Sequence, residues 1–245
     1  MVLENDREKE KDTAGNLHIE DGVLLSCTGR DETVIVPEQV HTIGDGAFKA
    51  CVSLKKAVLP ETLRVIGNHA FKGCRKLMEI RIPAGVSSIG SYAFHRCHGL
   101  KRVILPPSVE ELLDCTFLYC DSLTEVRMPG VKRLGRQVFV NDVMLERLEI
   151  SEELEESCIC DVFTGCGKIH EILFSNGTCF RIPNAVEAVA GELPIPALVR
   201  LIAVDVLRMM ELEERTLVRF LTNLKHVEIP EGIEALGKSC FFDKR

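Results

Sequence analysis

Prolines recur at a fixed interval in the first half of the chain, and this spacing constrains the fold more than any other feature. Successive members of the series Pro37, Pro60, Pro83, Pro106 and Pro129 are 23 residues apart. Each proline closes a short strand-like segment, and the last four segments share the pattern L-x-x-V-x-L-P, as in Leu77 to Pro83. A period of roughly 20–50 residues is typical of repeat proteins, whose units stack on one another. The spacing therefore predicts a solenoid.

A second pattern lies between the proline-ended segments. Ile66 to Cys74 reads I-G-x-x-A-F-x-x-C, and similar stretches begin at Ile43 and Ile89. The pattern weakens toward the C-terminus, but a phenylalanine keeps recurring. The members of this series are Phe48, Phe71, Phe94, Phe117, Phe139 and Phe163. Stacked units place these rings in one buried column, which we expect to supply much of the stability.

Stacking also makes each L-x-x-V-x-L segment a strand beside the next one in a parallel sheet. Alternation along a strand sends the fourth and sixth positions inward, for example Ile80 and Ile82, and the third and fifth outward. The A-F-x-x-C stretch is expected to form one helical or 3₁₀ turn on the opposite side. The glycine of the I-G pair is expected to permit a tight bend.

The two patterns together resemble the BspA-type, or Treponema-pallidum-type, bacterial leucine-rich repeats, whose units read as Ile66 to Pro83 does here. The resemblance covers about residues 34–175 and residues 224–242. It implies an α/β fold, a leucine-rich-repeat right-handed solenoid with a parallel β-sheet on one side and short helical or 3₁₀ turns on the other. It implies binding, but no enzymatic activity.

The chain is predicted to contain a flexible charged N-terminus, residues 1–16, and one repeat domain, residues 17–245. The domain divides into an N-terminal cap (17–33), regular 23-residue repeats (34–175), a degenerate, partly helical segment (176–223) and a final partial repeat (224–245). In the cap, a hairpin around Asp21-Gly22 is expected to cover the first open sheet edge. In the degenerate segment, residues 196–221 are expected to form two helices, either packed on the solenoid or inserted for partner docking.

Composition argues against several classes of partner. The 37 acidic and 30 basic residues give a net charge of −7, which repels a phosphate backbone. The chain has no Trp and two Tyr, so rings that stack on bases or sugars are scarce. The most apolar region, residues 193–210, is interrupted by charged side chains. We therefore expect no nucleic-acid partner and no membrane insertion.

No known catalytic, phosphate-binding or calcium-binding motif is present. The recurring cysteines Cys51, Cys74, Cys97, Cys120 and Cys166 are interpreted as small buried packing residues. Cys158 and Cys160 lack the spacing of a zinc site, and the segment from His95 to His98 is interpreted as a solvated turn. We therefore expect no enzymatic activity, cofactor, metal or small-molecule substrate. An unrecognised enzyme or metal protein is the third hypothesis.

The outward strand positions form the candidate binding surface. Third positions alternate in charge along the repeats, which either stabilises the sheet or serves recognition. Fifth positions mix apolar and charged residues, a composition that suits protein contacts. The candidates are Lys56, Val58, Glu79, Arg81, Arg102, Ile104, Glu125, Arg127, Arg147, Glu149 and Glu171. Recognition is predicted to centre on Arg81, Arg102, Ile104, Glu125 and Arg127.

The leading functional hypothesis is a non-catalytic scaffold that presents this rigid strand face to a protein partner of unknown identity. The alternative is a bacterial cell-surface adhesin, which requires an export signal. Residues 1–12 form a charged run without the apolar stretch of a signal peptide, which predicts a cytoplasmic protein. If the chain is a fragment, a signal sequence upstream would favour the cell surface.

Overall fold

A computed structural model describes residues 16–155 and 161–181, in which fifteen short β-strands follow one another. In chain order they are β1 (Leu17–Glu20), β2 (Val23–Cys27), β3 (Thr33–Ile35), β4 (Thr42–Ile43), β5 (Lys56–Val58), β6 (Val65–Ile66), β7 (Glu79–Ile80), β8 (Ser88–Ile89), β9 (Arg102–Ile104), β10 (Glu111–Leu112), β11 (Glu125–Met128), β12 (Arg133–Leu134), β13 (Arg147–Ile150), β14 (Glu171–Phe174) and β15 (Cys179–Arg181). Each repeat unit makes one coil of a β-solenoid, as the spacing predicted.

The proline-ended segments contribute β3, β5, β7, β9 and β11 to one sheet of eight strands, the main sheet, whose order is β15-β14-β13-β11-β9-β7-β5-β3. Neighbours from β3 to β14 run parallel, because each is reached by a full coil of the chain. The register joins equivalent positions, so that Glu79 lies beside both Lys56 and Arg102. Ile80 and Ile82 are each only 6% exposed, which confirms their predicted inward orientation.

The I-G segments form a second, smaller set of parallel strands that the sequence patterns did not predict. The orders are β1-β2-β4-β6-β8 and β10-β12. Ile43, Ile66 and Ile89 lie side by side in this sheet and are buried. A Cβ added at Gly90 would lie 2.5 Å from the backbone nitrogen of Asn68 in the preceding coil. Close contact between coils, rather than a tight bend alone, therefore explains the recurring glycine.

The A-F-x-x-C stretch is not helical, which corrects the expected helical or 3₁₀ turn. The amides of Tyr92, Phe94 and Arg96 donate hydrogen bonds of 2.8–3.0 Å to carbonyls of the next coil. The intervening amides bond to carbonyls three residues earlier in their own coil. A helix directs all of its amides along its own axis, whereas here alternate amides leave the coil. The stretch is a series of β-turns stacked on those of its neighbours, and we call it the turn side.

The phenylalanine column is buried at the centre of the solenoid, as predicted. Its six rings stack nearly parallel, with centroids 4.8–5.5 Å apart between successive coils. All six phenylalanines have no exposed surface. Aliphatic residues from both sheets pack around the column in one continuous cluster. This column joins the coils into a single core.

Different strand arrangements cover the two ends of the described part of the solenoid. β1 and β2 form the predicted hairpin, whose turn residues Asp21 and Gly22 have φ values of 48° and 73°. The hairpin pairs with β4, so it covers the edge of the smaller sheet rather than the edge of the main sheet. At the other end, β15 folds back antiparallel onto β14, where the sequence suggested only a degenerate segment. The helices predicted within residues 196–221 lie outside the described residues.

Candidate protein-binding surface

The outward positions of β5, β7, β9, β11, β13 and β14 bring ten of the eleven predicted site residues onto one face of the main sheet, and Arg81 directly follows β7. Parallel pairing aligns the third positions in one column and the fifth positions in another. We call this face the strand face. An extended backbone accepts almost any side chain at such positions, so folding leaves their chemistry open.

The third-position charges pair across neighbouring strands, as their alternation predicted. Lys56 Nζ lies 3.9 Å from a Glu79 carboxylate oxygen, and Arg102 lies 2.9 Å from Glu125. On its other side Glu125 faces Arg147 at 3.9 Å. Exposed pairs of this kind contribute at most about 1 kcal/mol each. The ladder alone therefore adds little stability to the sheet.

Glu125 is the one third-position candidate that the structure buries, although the sequence pattern predicted an exposed side chain. Its side chain is 6% exposed, whereas those of Arg102, Arg127 and Arg147 are about half exposed. The Nε of Arg127 donates to Glu125 at 2.6 Å from within the same strand. Three arginines therefore lie over one carboxylate and remove it from solvent. Glu125 therefore lies beneath the candidate surface, where little of its side chain is accessible.

Glu125 remains ionised despite this burial. Burial raises the pKa of its carboxyl. The hydrogen bond from Arg127 and the charges of Arg102, Arg127 and Arg147 lower this pKa by more than burial raises it. The net result is a pKa below the ordinary value. A fixed carboxylate orients the three guanidinium groups and leaves part of their donor capacity facing solvent. We call Arg102, Arg127, Arg147 and Glu125 the arginine group.

Apolar side chains lie beside the arginine group. Ile104 is 49% exposed in the strand next to Arg127, and Val58 is 40% exposed two strands earlier. Ile35, the equivalent residue of β3, is 37% exposed and pairs with Val58, although the sequence patterns did not identify it. The fifth-position column therefore presents apolar surface between charged groups. This mixture is typical of the centre of a protein interface.

The remaining candidates surround this centre. Arg81 forms an ion pair with Glu61 outside the main sheet and is exposed. Glu149 is partly buried and lies 3.6 Å from Arg127. Glu171, in β14, is also partly buried. Glu149 and Glu171 offer less exposed surface than Ile104 or Arg102, whereas the Arg81 side chain is 76% exposed, more than that of Arg102 at 58%.

The cysteine column has a structural explanation. The Sγ atoms of Cys74, Cys97, Cys120 and Cys166 lie 2.9–3.2 Å from phenylalanine carbonyl oxygens of the preceding coils. Burial raises the pKa of the Cys97 and Cys120 thiols well above the ordinary value, which keeps them protonated. Residues 16–155 and 161–181 contain no group of three or more His, Cys, Asp or Glu side chains placed to hold a metal. Cys158 and Cys160 lie outside the described residues.

The segment from His95 to His98 is not the solvated turn that its sequence suggested. His95 is only 8% exposed and lies among aromatic rings. His98 bonds through Nδ1 to a carboxylate oxygen of Asp121 at 2.7 Å. Asp121 is 23 residues away in the sequence but occupies the next coil. Column by column alignment of the repeats could have revealed this pairing, whereas inspection of the local sequence could not.

Comparison with known proteins identifies relatives of the same repeat type. The family model for the BspA type leucine rich repeat region matches six copies over residues 18–146 and 100–186. None of the curated proteins compared with the chain matches it. No helix in the described part of the chain is long and apolar enough to cross a membrane.

Two solved structures resemble this solenoid. A leucine rich repeat protein of T. pallidum is 31% identical, with a TM-score of 0.57 over 62% of this chain and 75% of that one. A leucine-rich repeat protein from Eubacterium ventriosum is 25% identical, with a TM-score of 0.50 over 62% of this chain and 44% of that one. The matched family and these neighbours agree with the repeat type that the sequence predicted.

Proposed function

We propose, since the chain belongs to the BspA-type leucine-rich repeat family, that it is a non-catalytic scaffold that binds a protein partner through the strand face. Repeat proteins of this kind generally act as protein-interaction scaffolds, and a rigid stack of coils suits that role. The single observation that supports the proposed site is the arginine group. It places three half-exposed arginines around a buried carboxylate, next to exposed Ile104.

The arginine group favours binding because its side chains are already ordered. A free arginine loses rotamer entropy when a partner fixes it, and this loss weakens association. An ion pair with Glu125 restricts Arg102, and a hydrogen bond to Glu125 restricts Arg127, before any partner arrives. Arginine and apolar side chains at the centre of a surface are also the groups that most often dominate binding energy. The proposed contact is therefore centred on Arg102, Ile104 and Arg127.

A neutral triple variant tests this proposal. Replacing only Arg102 and Arg127 would leave the buried Glu125 carboxylate without two of its positively charged partners. We therefore combine Arg102→Gln, Glu125→Gln and Arg127→Gln. This triple leaves no buried carboxylate without its partners. A partner isolated on the wild-type chain is expected to bind the triple variant at least about thirtyfold more weakly. The melting temperature is expected to change little.

The matched control is Lys76→Gln combined with Arg136→Gln. Both side chains are exposed, lie outside the strand face and form no ion pair within the described residues. The control removes the same number of basic residues and is expected to retain the affinity. Equal affinity of the triple variant and the wild type would exclude the arginine group as the binding centre.

The choice of extract follows from the two functional hypotheses. For a scaffold inside the cell, cytosolic protein of the source organism is the first material in which to seek the partner. The adhesin alternative requires a partner on another cell, so surface proteins are the second. Cell fractionation tests the predicted compartment independently.

A further inference from the structure

A continuous row of aromatic rings, stacked at His69 and Tyr92 and tilted at the next two contacts, crosses three coils on the turn side. The rings of His69 and Tyr92 have centroids 5.0 Å apart, Tyr92 and His95 are separated by 5.6 Å, and His95 and Tyr119 by 6.1 Å. Two cations lie over the tyrosines. Lys72 Nζ is 5.3 Å from the Tyr92 centroid, and the guanidinium carbon of Arg96 is 5.9 Å from that of Tyr119. We call these six side chains the turn-side cluster.

Four residues of the turn-side cluster have a backbone that favours glycine. His69, Tyr92, Arg96 and Tyr119 have φ values of 56°, 58°, 60° and 61°. Each coil has two such positions, and five of them hold residue types that tolerate this conformation best, namely Gly46, Gly73, Asn141, Asp161 and Gly165. Ala50, Cys115 and Gln137 occupy the other three positions outside the cluster. Large side chains therefore occupy positions where folding alone would favour small ones, and such strain often marks a functional surface.

The electrostatic environment of the cluster is positive. Burial lowers the pKa of His95 to about 4, and the charges of Lys72, Arg96, His69 and His98 act in the same direction. Neither ring nitrogen of His95 has a hydrogen-bond partner within the described residues. His95 therefore stays neutral and acts as a spacer between the two tyrosines, while Lys72 and Arg96 supply the charge.

Two carboxylates that act on residues of the cluster accept hydrogen bonds from backbone amides. Asp45, whose charge acts on the His69 ring, accepts a hydrogen bond from the backbone amide of Asn68 at 2.7 Å. Asp114, whose charge acts on the Tyr92 hydroxyl, accepts a hydrogen bond from the backbone amide of Arg136 at 2.8 Å. Within residues 16–155 and 161–181, Lys72 and Arg96 have tyrosine rings beneath them and no carboxylate within 4 Å. Two oriented cations are thus available to an external anion.

We propose that the turn-side cluster is a second binding surface, specific for an acidic segment of a protein. Lys72 and Arg96 would pair with carboxylates of that segment, and Tyr92 and Tyr119 would contact its aliphatic parts. Tyrosine and arginine are the residues most enriched at such contacts. A long nucleic acid is disfavoured by the net charge of −7, whereas a short acidic segment needs only the local cations. The site lies on a different side of the coil from the strand face and does not depend on it.

Tyrosine fluorescence tests the proposal without knowledge of the natural partner. The chain contains no Trp, and its two tyrosines are both in the cluster, so their emission reports on this site alone. The probe is an acetylated, amidated hexaglutamate peptide at low ionic strength. A saturable change in emission is expected, and none is expected with hexalysine. An unchanged emission with hexaglutamate, or a larger change with a thymidine hexanucleotide, would overturn the assignment.

Arg96→Gly is the informative variant, because glycine suits the backbone at this position. It should bind hexaglutamate about fivefold more weakly while its melting temperature is unchanged or higher. Asn141→Gly, at the equivalent position of a later coil, is the matched control and should bind like the wild type. Lys72→Gln should weaken binding without altering the backbone at residue 96. Equal affinity of the Arg96 and Lys72 variants and the wild type would refute the site.

The strand-face triple variant separates this proposal from the previous one. If the turn-side cluster is the site of the response, the triple variant keeps the full tyrosine response to hexaglutamate. Loss of the response in the triple variant would show that the peptide acts through the strand face, and would overturn the second surface while leaving the first intact.

Discussion

The strand face and the turn side belong to the same coils, but they place different demands on their residues. On the strand face the backbone is extended, and side chains as different as Lys56, Val58 and Glu79 occupy neighbouring exposed positions. On the turn side two residues of each coil have a left-handed backbone, which favours glycine. An outward side chain on the strand face is therefore free of backbone constraints, whereas a large side chain at one of these two turn-side positions is present in spite of them.

The largest loss of stability is expected from a substitution in the phenylalanine column, which lies between the strand face and the turn side. Phe94→Ala removes a fully buried ring that stacks on Phe71 and Phe117, and the loss should cost about 3–5 kcal/mol. Both sides of several coils should unfold together at a lower temperature, which circular dichroism on heating would measure. Met144→Ala, at an exposed position, is the control and should change stability little. An unchanged melting temperature for Phe94→Ala would refute a shared core.

The second prediction concerns a buried carboxylate on the turn side. Asp142 replaces the repeat cysteine, is fully buried and accepts the Cys120 amide at 2.7 Å through Oδ1, while Oδ2 has no partner within the described residues. Burial raises its pKa well above the ordinary value. The folded state therefore binds this proton more tightly than the unfolded state, and stability falls as the pH rises above the ordinary carboxyl range.

Asp142→Asn removes this titration and is expected to be more stable than the wild type at pH 7, by about 1–3 kcal/mol. The advantage should shrink as the pH is lowered through and below the ordinary carboxyl range, because the wild-type carboxyl is then protonated in both states. Urea unfolding at several pH values measures this difference. Glu152→Gln, at an exposed position, serves as the control. A constant difference across the pH range would argue against a protonated Asp142.

Glu125 on the strand face should show the opposite dependence on pH. Its pKa lies below the ordinary value, so its contribution is present above the ordinary carboxyl range and is lost as the pH falls. Glu125→Gln is expected to cost about 1 kcal/mol at pH 7, since its arginine partners are half exposed and can be solvated instead. The same urea experiment would show this cost disappearing in acid. A cost that grows in acid would contradict the proposed ion pairs.

The smallest expected change in stability comes from glycine substitutions, which compare the left-handed backbone of the turn side with the extended backbone of the strand face. Ala50→Gly, at a turn-side residue with φ of 61°, should stabilise the chain by up to about 1 kcal/mol. Lys56→Gly, in β5 of the strand face, should destabilise it by a similar amount. Thermal melts of the two variants provide the measurement. The same sign of change in both would remove the conformational distinction between the two sides.

The sequence predicted the parts of the fold that depend on recurrence. A residue type that returns every 23 residues must meet its own copies when coils stack, so the phenylalanine column and the strand register followed directly. The conformation of the turn side did not follow, because an amide such as that of Phe94 can serve its own coil or the next one. Sequence patterns do not distinguish these two destinations.

The sequence predicted where the candidate site lies, but not which of its side chains are buried. Alternation placed Glu125 on the outward face, but its burial depends on Arg102, Arg127 and Arg147, which come from three strands. Burial of one position by the side chains of several coils requires the stacked structure. The aromatic rings of the turn side were missed for the same reason, since His69 and Tyr92 lie 23 residues apart in the sequence and meet only across coils.

The most direct test of partner binding at the strand face is photo-crosslinking from two positions of equal exposure. Benzoylphenylalanine replaces Ile104, which is 49% exposed on the strand face, or Val143, which is 47% exposed in a loop before β13. We expect the isolated partner to crosslink to the chain from position 104 and not from position 143. Crosslinking from position 143 alone would contradict recognition by the strand face.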